Sequence, residues 1–167
     1  MKISKRRKTA RIVFWALAVA TMVAIALFSA QNGESSSETS SGVTVMILRI
    51  FRPDFDLLSA AEQAELIESI HLLIRKLAHF SAYAFLGFNC ACASLTYFWR
   101  NGRRFAVSFA IGAAYAVSDE IHQLFVPQRA GTITDVLIDS FGVVTGVLLS
   151  LFIIARIFKK HIRSNEE

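Results

Sequence analysis

Four apolar runs, each close to the length of a bilayer crossing, divide this chain. Residues 12–30 (IVFWALAVATMVAIALFSA) hold no charge, and residues 77–98 (LAHFSAYAFLGFNCACASLTYF) hold none beyond His79. Residues 105–126 stay apolar until Asp119, and residues 132–155 are apolar apart from Asp135 and Asp139. A hydrocarbon core about 30 Å thick needs roughly 20 helical residues, so the pattern predicts four membrane-spanning helices. Apolar residues run nearly all round each of them, whereas a soluble bundle would show amphipathic stripes. The first run also resembles a secretion signal in its basic start. It exceeds the usual apolar stretch of about 7–15 residues, and Phe28 fills the −3 position of the best cleavage-like site. It is therefore expected to be a retained helix.

Residues 31–76 are expected to form an outer loop. QNGESSSETSSGVT reads as a flexible Ser-rich linker, and VMILRIFRPDF as a short interfacial helix with snorkelling Arg49 and Arg52. Ser59 and Glu62 form a capping-box pair. Leu66, Ile70, Leu73 and Leu77 then recur at helical spacing and lead into the second span. WRNGRR and PQRAGT are the remaining turns. The predicted fold is all-α and integral to the membrane: one domain over residues 1–167, a four-transmembrane-helix bundle with an extracytoplasmic Ser-rich loop and an interfacial helix.

Charge supplies an orientation. Of 18 Lys and Arg, six lie in residues 1–11, three in 99–104 and four in 156–163, all on one side if the spans alternate. The positive-inside rule makes that side cytoplasmic, placing both termini inside a cytoplasmic-membrane protein. Eleven of the 13 acidic residues fall on the outer side or in its membrane half. The net charge of +5 is thereby explained by topology, and no nucleic-acid partner is called for. Cys90 and Cys92 sit two residues apart within a span, point in different directions and read as buried, unbridged thiols rather than a metal motif. His71 and His161 fall in amphipathic or terminal segments and read as solvated.

The chemistry concentrates in SDEIHQLFVPQRAGTITDVLID, Ser118 to Asp139. Asp119 lies about 21 Å along its helix from Phe105, His79 about 5 Å below Lys76 and Asp139 about 10 Å below Thr132, so three helices bring ionisable groups to one outer layer. Lys76, His79 and Tyr83 form one stripe; Tyr115, Asp119, His122 and Gln123 a second; Asp135, Asp139, Gly142 and Gly146 a third, with small residues for close packing. Charge facing lipid costs at least about 3 kcal/mol near the midplane, so each stripe is expected to face the bundle. Three readings stand side by side. The groups form a structural salt-bridge network; or Asp119, His122, His79 and Asp135 or Asp139 hold a divalent metal; or Lys76, Arg129 and Arg75 hold an anionic group while Glu120 or His122 supplies acid–base chemistry. Ion or proton conduction is a further alternative.

RKLAHFSAYAFLGF and YAVSDEIHQLFVPQRAGTITDVLIDSFGVVTG resemble the VanZ-like family of small bacterial membrane proteins, named for a teicoplanin-resistance protein. The resemblance covers roughly residues 12–155. It points to Lys76, His79, Tyr83, Asp119, Glu120, His122, Gln123, Arg129, Asp135 and Asp139. His79, Asp119, Glu120 and His122 are the candidates for acid–base or metal work; the other six are candidates for ligand binding. Family members often carry Asn in place of Asp139 and Gly in place of Gln128. The resemblance implies an envelope role at the outer membrane face, altered sensitivity to glycopeptide antibiotics, and a lipid-linked or peptidoglycan-related anionic ligand. It names no reaction, metal or cofactor. A non-enzymatic scaffold or binder and a small transporter are the competing readings.

Overall fold

The computed structural model describes residues 5–97 and 99–163, with only the backbone described for 155 and 157–163. The His161 side chain therefore lies outside the described residues. Among the described residues the chain is wholly helical: α1 (Lys5–Ser29), α2 (Gly33–Phe51), α3 (Ala60–Leu95), α4 (Asn101–Gln123) and α5 (Ile133–Arg163), with a single 3-10 turn at Phe55–Leu57 between α2 and α3.

The expected outer loop is largely helical. The Ser-rich segment forms α2, capped by Asn32, whose side chain accepts from the Ser35 amide at 2.8 Å. Its buried face is Ser36, Ser40, Thr44 and Leu48, a four-residue spacing that makes one helical stripe. Ser40 and Thr44 donate to the carbonyls of Ser36 and Ser40, four residues back. Their hydroxyls are thus satisfied within α2, and small side chains let it lie close on α3. The segment read as an interfacial helix is the last part of α2 and the 3-10 turn. Arg49 and Arg52 there pair with Asp56 at 3.0 Å and Asp54 at 3.3 Å rather than snorkelling.

The predicted capping box starts α3: Ser59 accepts from the Glu62 amide, and the Glu62 carboxylate accepts from the Ser59 amide at 2.9 Å. At 36 residues, α3 is about 54 Å long. Its first half pairs antiparallel with α2, and its second half is the central member of a bundle with α1, α4 and α5. Chain direction alternates through that bundle. Arg11, near the start of α1, donates to the Thr96 carbonyl at 2.9 Å at the far end of α3, and Ser29, closing α1, meets Asp119 late in α4.

Tyr83, Leu86, Cys90, Ala91, Ala116, Val143 and Val147 form the core with Ala18 and Ile25 of α1. Both cysteines are buried and free, as the spacing implies. The α3–α5 seam is tight because a Cβ on Gly142 or Gly146 would run into the carbonyl of Phe80 or Ala84. The outside of the bundle is oily: Ile12, Val19, Val23 and Leu27 of α1 and Leu137, Phe141, Leu148 and Phe152 of α5 are all exposed. α1 and α5 are long and apolar enough to cross a membrane. The apolar runs of α3 and α4 are diluted by inward groups, Tyr83 and Asn89 in one and Ser108, Asp119 and Glu120 in the other.

Candidate functional site

The end of the bundle carrying Asp119 gathers ionisable side chains from three helices and a turn. His79 from α3, Asp119 from α4 and Asp139 from α5 place one potential ligand atom each within 4.8 Å of one another. Asp119 and Asp139 are buried, and His79 is partly exposed. His79 Nδ1 stands 3.9 Å from Asp139 Oδ2.

Each carboxylate is held differently. Asp119 Oδ2 accepts from the Ser29 hydroxyl at 2.9 Å and from Gln123 Nε2 at 3.3 Å. Glu120 accepts from the Thr132 amide at 2.8 Å and from Gln123 at 3.4 Å, tying α4 to the start of α5. Asp135 pairs with Lys76 Nζ at 3.0 Å. Asp139 is 1% exposed, and its Oδ2 receives no hydrogen bond. A buried carboxylate oxygen with no protein donor among the described residues is expensive, because no hydrogen bond from the chain offsets its desolvation. The Tyr83 hydroxyl lies near Asp119, also buried, without reaching hydrogen-bond geometry with it.

Arg129, from the turn between α4 and α5, sends Nε to the Gln31 carbonyl at 3.1 Å and Nη2 to that of Phe28 at 3.4 Å, clamping the end of α1. Its Nη1 has no partner. Half-burial lowers the pKa of Arg75, and the Asp135 and Glu120 carboxylates oppose that shift. Arginine's basicity keeps it cationic at neutral pH.

These groups line a cavity of about 220 Å³ in which basic side chains (Arg75, Lys76, His79 and Arg129) and carboxylates (Glu120, Asp135 and Asp139) are interleaved, as the Lys76–Asp135 pair shows. A second cavity of about 340 Å³ runs between α1, α2 and α3. Its walls are mainly apolar, including Ala24, Ile25, Phe28, Val43, Ile74 and Ala82. The two share Arg75, His79 and Arg129. A charged chamber and an oily groove therefore meet at three basic side chains.

Of the ten residues singled out from sequence, Lys76, His79, Glu120, Gln123, Arg129, Asp135 and Asp139 line the charged cavity. Asp119 and Tyr83 lie buried around its floor. His122 is not brought in: it is exposed on the last turn of α4 and lines neither cavity. Three residues beyond Asp119 the helix has turned about 300°, and that rotation carries His122 off the inward stripe. Ser29 was not anticipated. Its signal was its place at the end of the Thr21, Ile25, Ser29 stripe, which is buried along α1.

The basic side chains suit an anion, and the buried carboxylates beside His79 suit a cation. No curated protein and no solved structure matches the chain. The VanZ/LLP1 family model matches residues 14–156, nearly the whole helical bundle and α2 with it, and the chain belongs to that family.

Proposed function

We propose that this VanZ-family protein crosses the cytoplasmic membrane four times, with both termini inside, and binds the anionic head of a lipid-linked envelope molecule at its outer face. The carrying observation is the junction of the two cavities at Arg75, His79 and Arg129. A phosphate there would meet two guanidiniums, with Lys76 at the rim, while a hydrocarbon chain would lie in the groove between α1, α2 and α3. The orientation is supported by the 13 Lys and Arg that the sequence holds in residues 1–11, 99–104 and 156–163, the charge pattern of a cytoplasmic side. Where they are described, these segments belong to the bundle end opposite the cavities. At that end Arg11 and Arg103 stack on Tyr97 and Trp99, a pairing that suits a membrane interface.

The test is retention of lipid by full-length protein in nanodiscs, read by native mass spectrometry with polyprenyl phosphate and the matching neutral polyprenol. Retention of the phosphate, its loss in Arg75→Ala, and indifference to the alcohol are the expected results. Equal retention of both lipids would sink the reading. A role in glycopeptide sensitivity follows from the same proposal. Raising expression in a sensitive host should shift the inhibitory concentration of teicoplanin, and Arg75→Ala should abolish the shift.

A scaffold reading has its own support, since Arg129 is committed through Nε and Nη2 to backbone carbonyls of α1. Under it, Arg75→Ala and Lys76→Ala would leave every envelope phenotype unchanged.

A further inference from the structure

We infer that His79, Asp119 and Asp139 form a binding site for a single divalent transition-metal ion at the floor of the charged cavity. The three groups come from three separate helices, yet their potential ligand atoms lie within 4.8 Å of one another. Metal–ligand bonds of about 2.1 Å put tetrahedral neighbours roughly 3.4 Å apart. The widest pair therefore needs to close by up to about 1.4 Å, within reach of side-chain rotation on fixed helices.

Two further observations point to a cation at this place. Asp139 Oδ2 is buried without a donor, which a metal would remedy directly. Ser29 and Gln123 both donate to the same oxygen of Asp119, Oδ2. They orient the carboxylate in the manner of residues that support a metal ligand, and neither occupies Oδ1. Charge agrees as well. Two carboxylates and a neutral imidazole around a dication sum to zero, the state that a low-dielectric layer favours. Of the other charges nearby, Lys76 pairs with Asp135 and Glu120 accepts from Thr132 and Gln123.

One nitrogen and two carboxylate oxygens suit Mn²⁺, Fe²⁺ or Zn²⁺ better than Ca²⁺, which prefers six to eight oxygens. His79 and Asp139 line the cavity, so the ion's open coordination positions face the chamber. There it would take water or an anion's oxygen. The metal site deepens the anion-binding reading of the cavity but does not depend on it.

The full-length protein in mild detergent, stripped with chelator and titrated with Mn²⁺ alone, provides the test. Expected are one ion per chain and an electron-spin-echo signal showing coupling to nitrogen from ¹⁵N-labelled histidine. His79→Ala and Asp139→Ala should each weaken binding about tenfold or more, with Arg49→Ala, on the exposed end of α2 away from both cavities, close to wild type. The inference is overturned by a wild-type chain that binds no Mn²⁺, by bound Mn²⁺ without nitrogen coupling, or by folded His79→Ala and Asp139→Ala chains that bind as tightly as wild type. The nitrogen coupling is read on the wild-type chain and decides even where a variant unfolds. Intact metal binding with no preference for polyprenyl phosphate would remove the lipid reading alone; the converse would remove the metal alone.

Discussion

The Ser29 hydroxyl donates to Asp119 Oδ2 at 2.9 Å, joining the last residue of α1 to a buried carboxylate of α4 across 90 residues of chain. Ser29 is fully buried and Asp119 nearly so. Deleting the donor would leave Gln123 as the one remaining hydrogen-bond partner of that oxygen. Ser29→Ala should cost about 1–3 kcal/mol, read as a lower thermal midpoint in detergent. Asp119→Asn should absorb part of that loss, so the double variant should be less destabilised than the two singles added together.

Glycines at two places should respond in opposite directions to the same substitution. Gly146 of α5 lies against the Ala84 carbonyl of α3, where a Cβ has no room, whereas nothing lies within 4 Å of a Cβ at Gly42 on α2. Gly146→Ala must push two backbones apart and should destabilise by about 1–3 kcal/mol. Gly42→Ala, on an exposed helix surface, should stabilise by about 0.8–1 kcal/mol through helix propensity. Thermal melts of the two variants beside wild type check both signs, and a stabilised Gly146→Ala would contradict the close α3–α5 seam.

What could be read from sequence follows from which signals are periodic. The gathering of His79, Asp119 and Asp139 was legible because each lies at a computable depth along its helix, and depth survives uncertainty about helix rotation. His122 was misplaced because rotation does not survive it: 60° is enough to move a side chain from cavity to surface. α2 was hidden by composition. Serine and glycine argue for a linker when counted, yet Ser36, Ser40 and Thr44 make a helical stripe when placed. A stripe of small polar residues carries no apolar periodicity, so helical spacing of apolar residues passes over it. The Ser59–Glu62 cap was legible because it is a local hydrogen-bond pattern needing no tertiary information. The Arg129 clamp on Phe28 and Gln31 joins segments about 100 residues apart, and no local signal encodes it.

The capping box predicts a pH response confined to the start of α3. Hydrogen bonds from the Ser59 hydroxyl and amide hold the Glu62 carboxyl below its ordinary pKa. A depressed folded-state pKa means that the ionised form favours the folded helix end. Its contribution is therefore present above the unfolded value of about 4.3 and fades as pH falls through the folded one. A carboxyl ¹³C titration of Glu62 should show a midpoint below about 4.3, and Ser59→Ala should move it back up. In acid, amide exchange in the first turn of α3 should quicken while the α3–α5 seam stays protected. A Glu62 midpoint unmoved by Ser59→Ala would break the assignment.

Gln128 adopts a φ of 59° in the turn between α4 and α5, in the left-handed region. A side chain there costs about 1–2 kcal/mol relative to the right-handed conformation, and glycine avoids most of that cost. The turn must hold this shape because the Pro127 carbonyl accepts from the Gly33 amide at 3.1 Å, fixing the start of α2, and because Arg129 next door clamps the end of α1. Gln128→Gly should keep both contacts and raise stability, by less than the full strain because glycine also frees the unfolded chain. A gain of about 0.5–1 kcal/mol is expected. Gln128→Val, β-branched and poorly suited to positive φ, should lose stability and loosen the Arg129 clamp. Thermal midpoints of the two variants, with lipid retention by native mass spectrometry, separate turn strain from any direct role of the Gln128 amide in the cavity. Gln128→Gly that gains stability but loses polyprenyl phosphate would assign the amide to the ligand; a gain with retention unchanged would confine Gln128 to the turn.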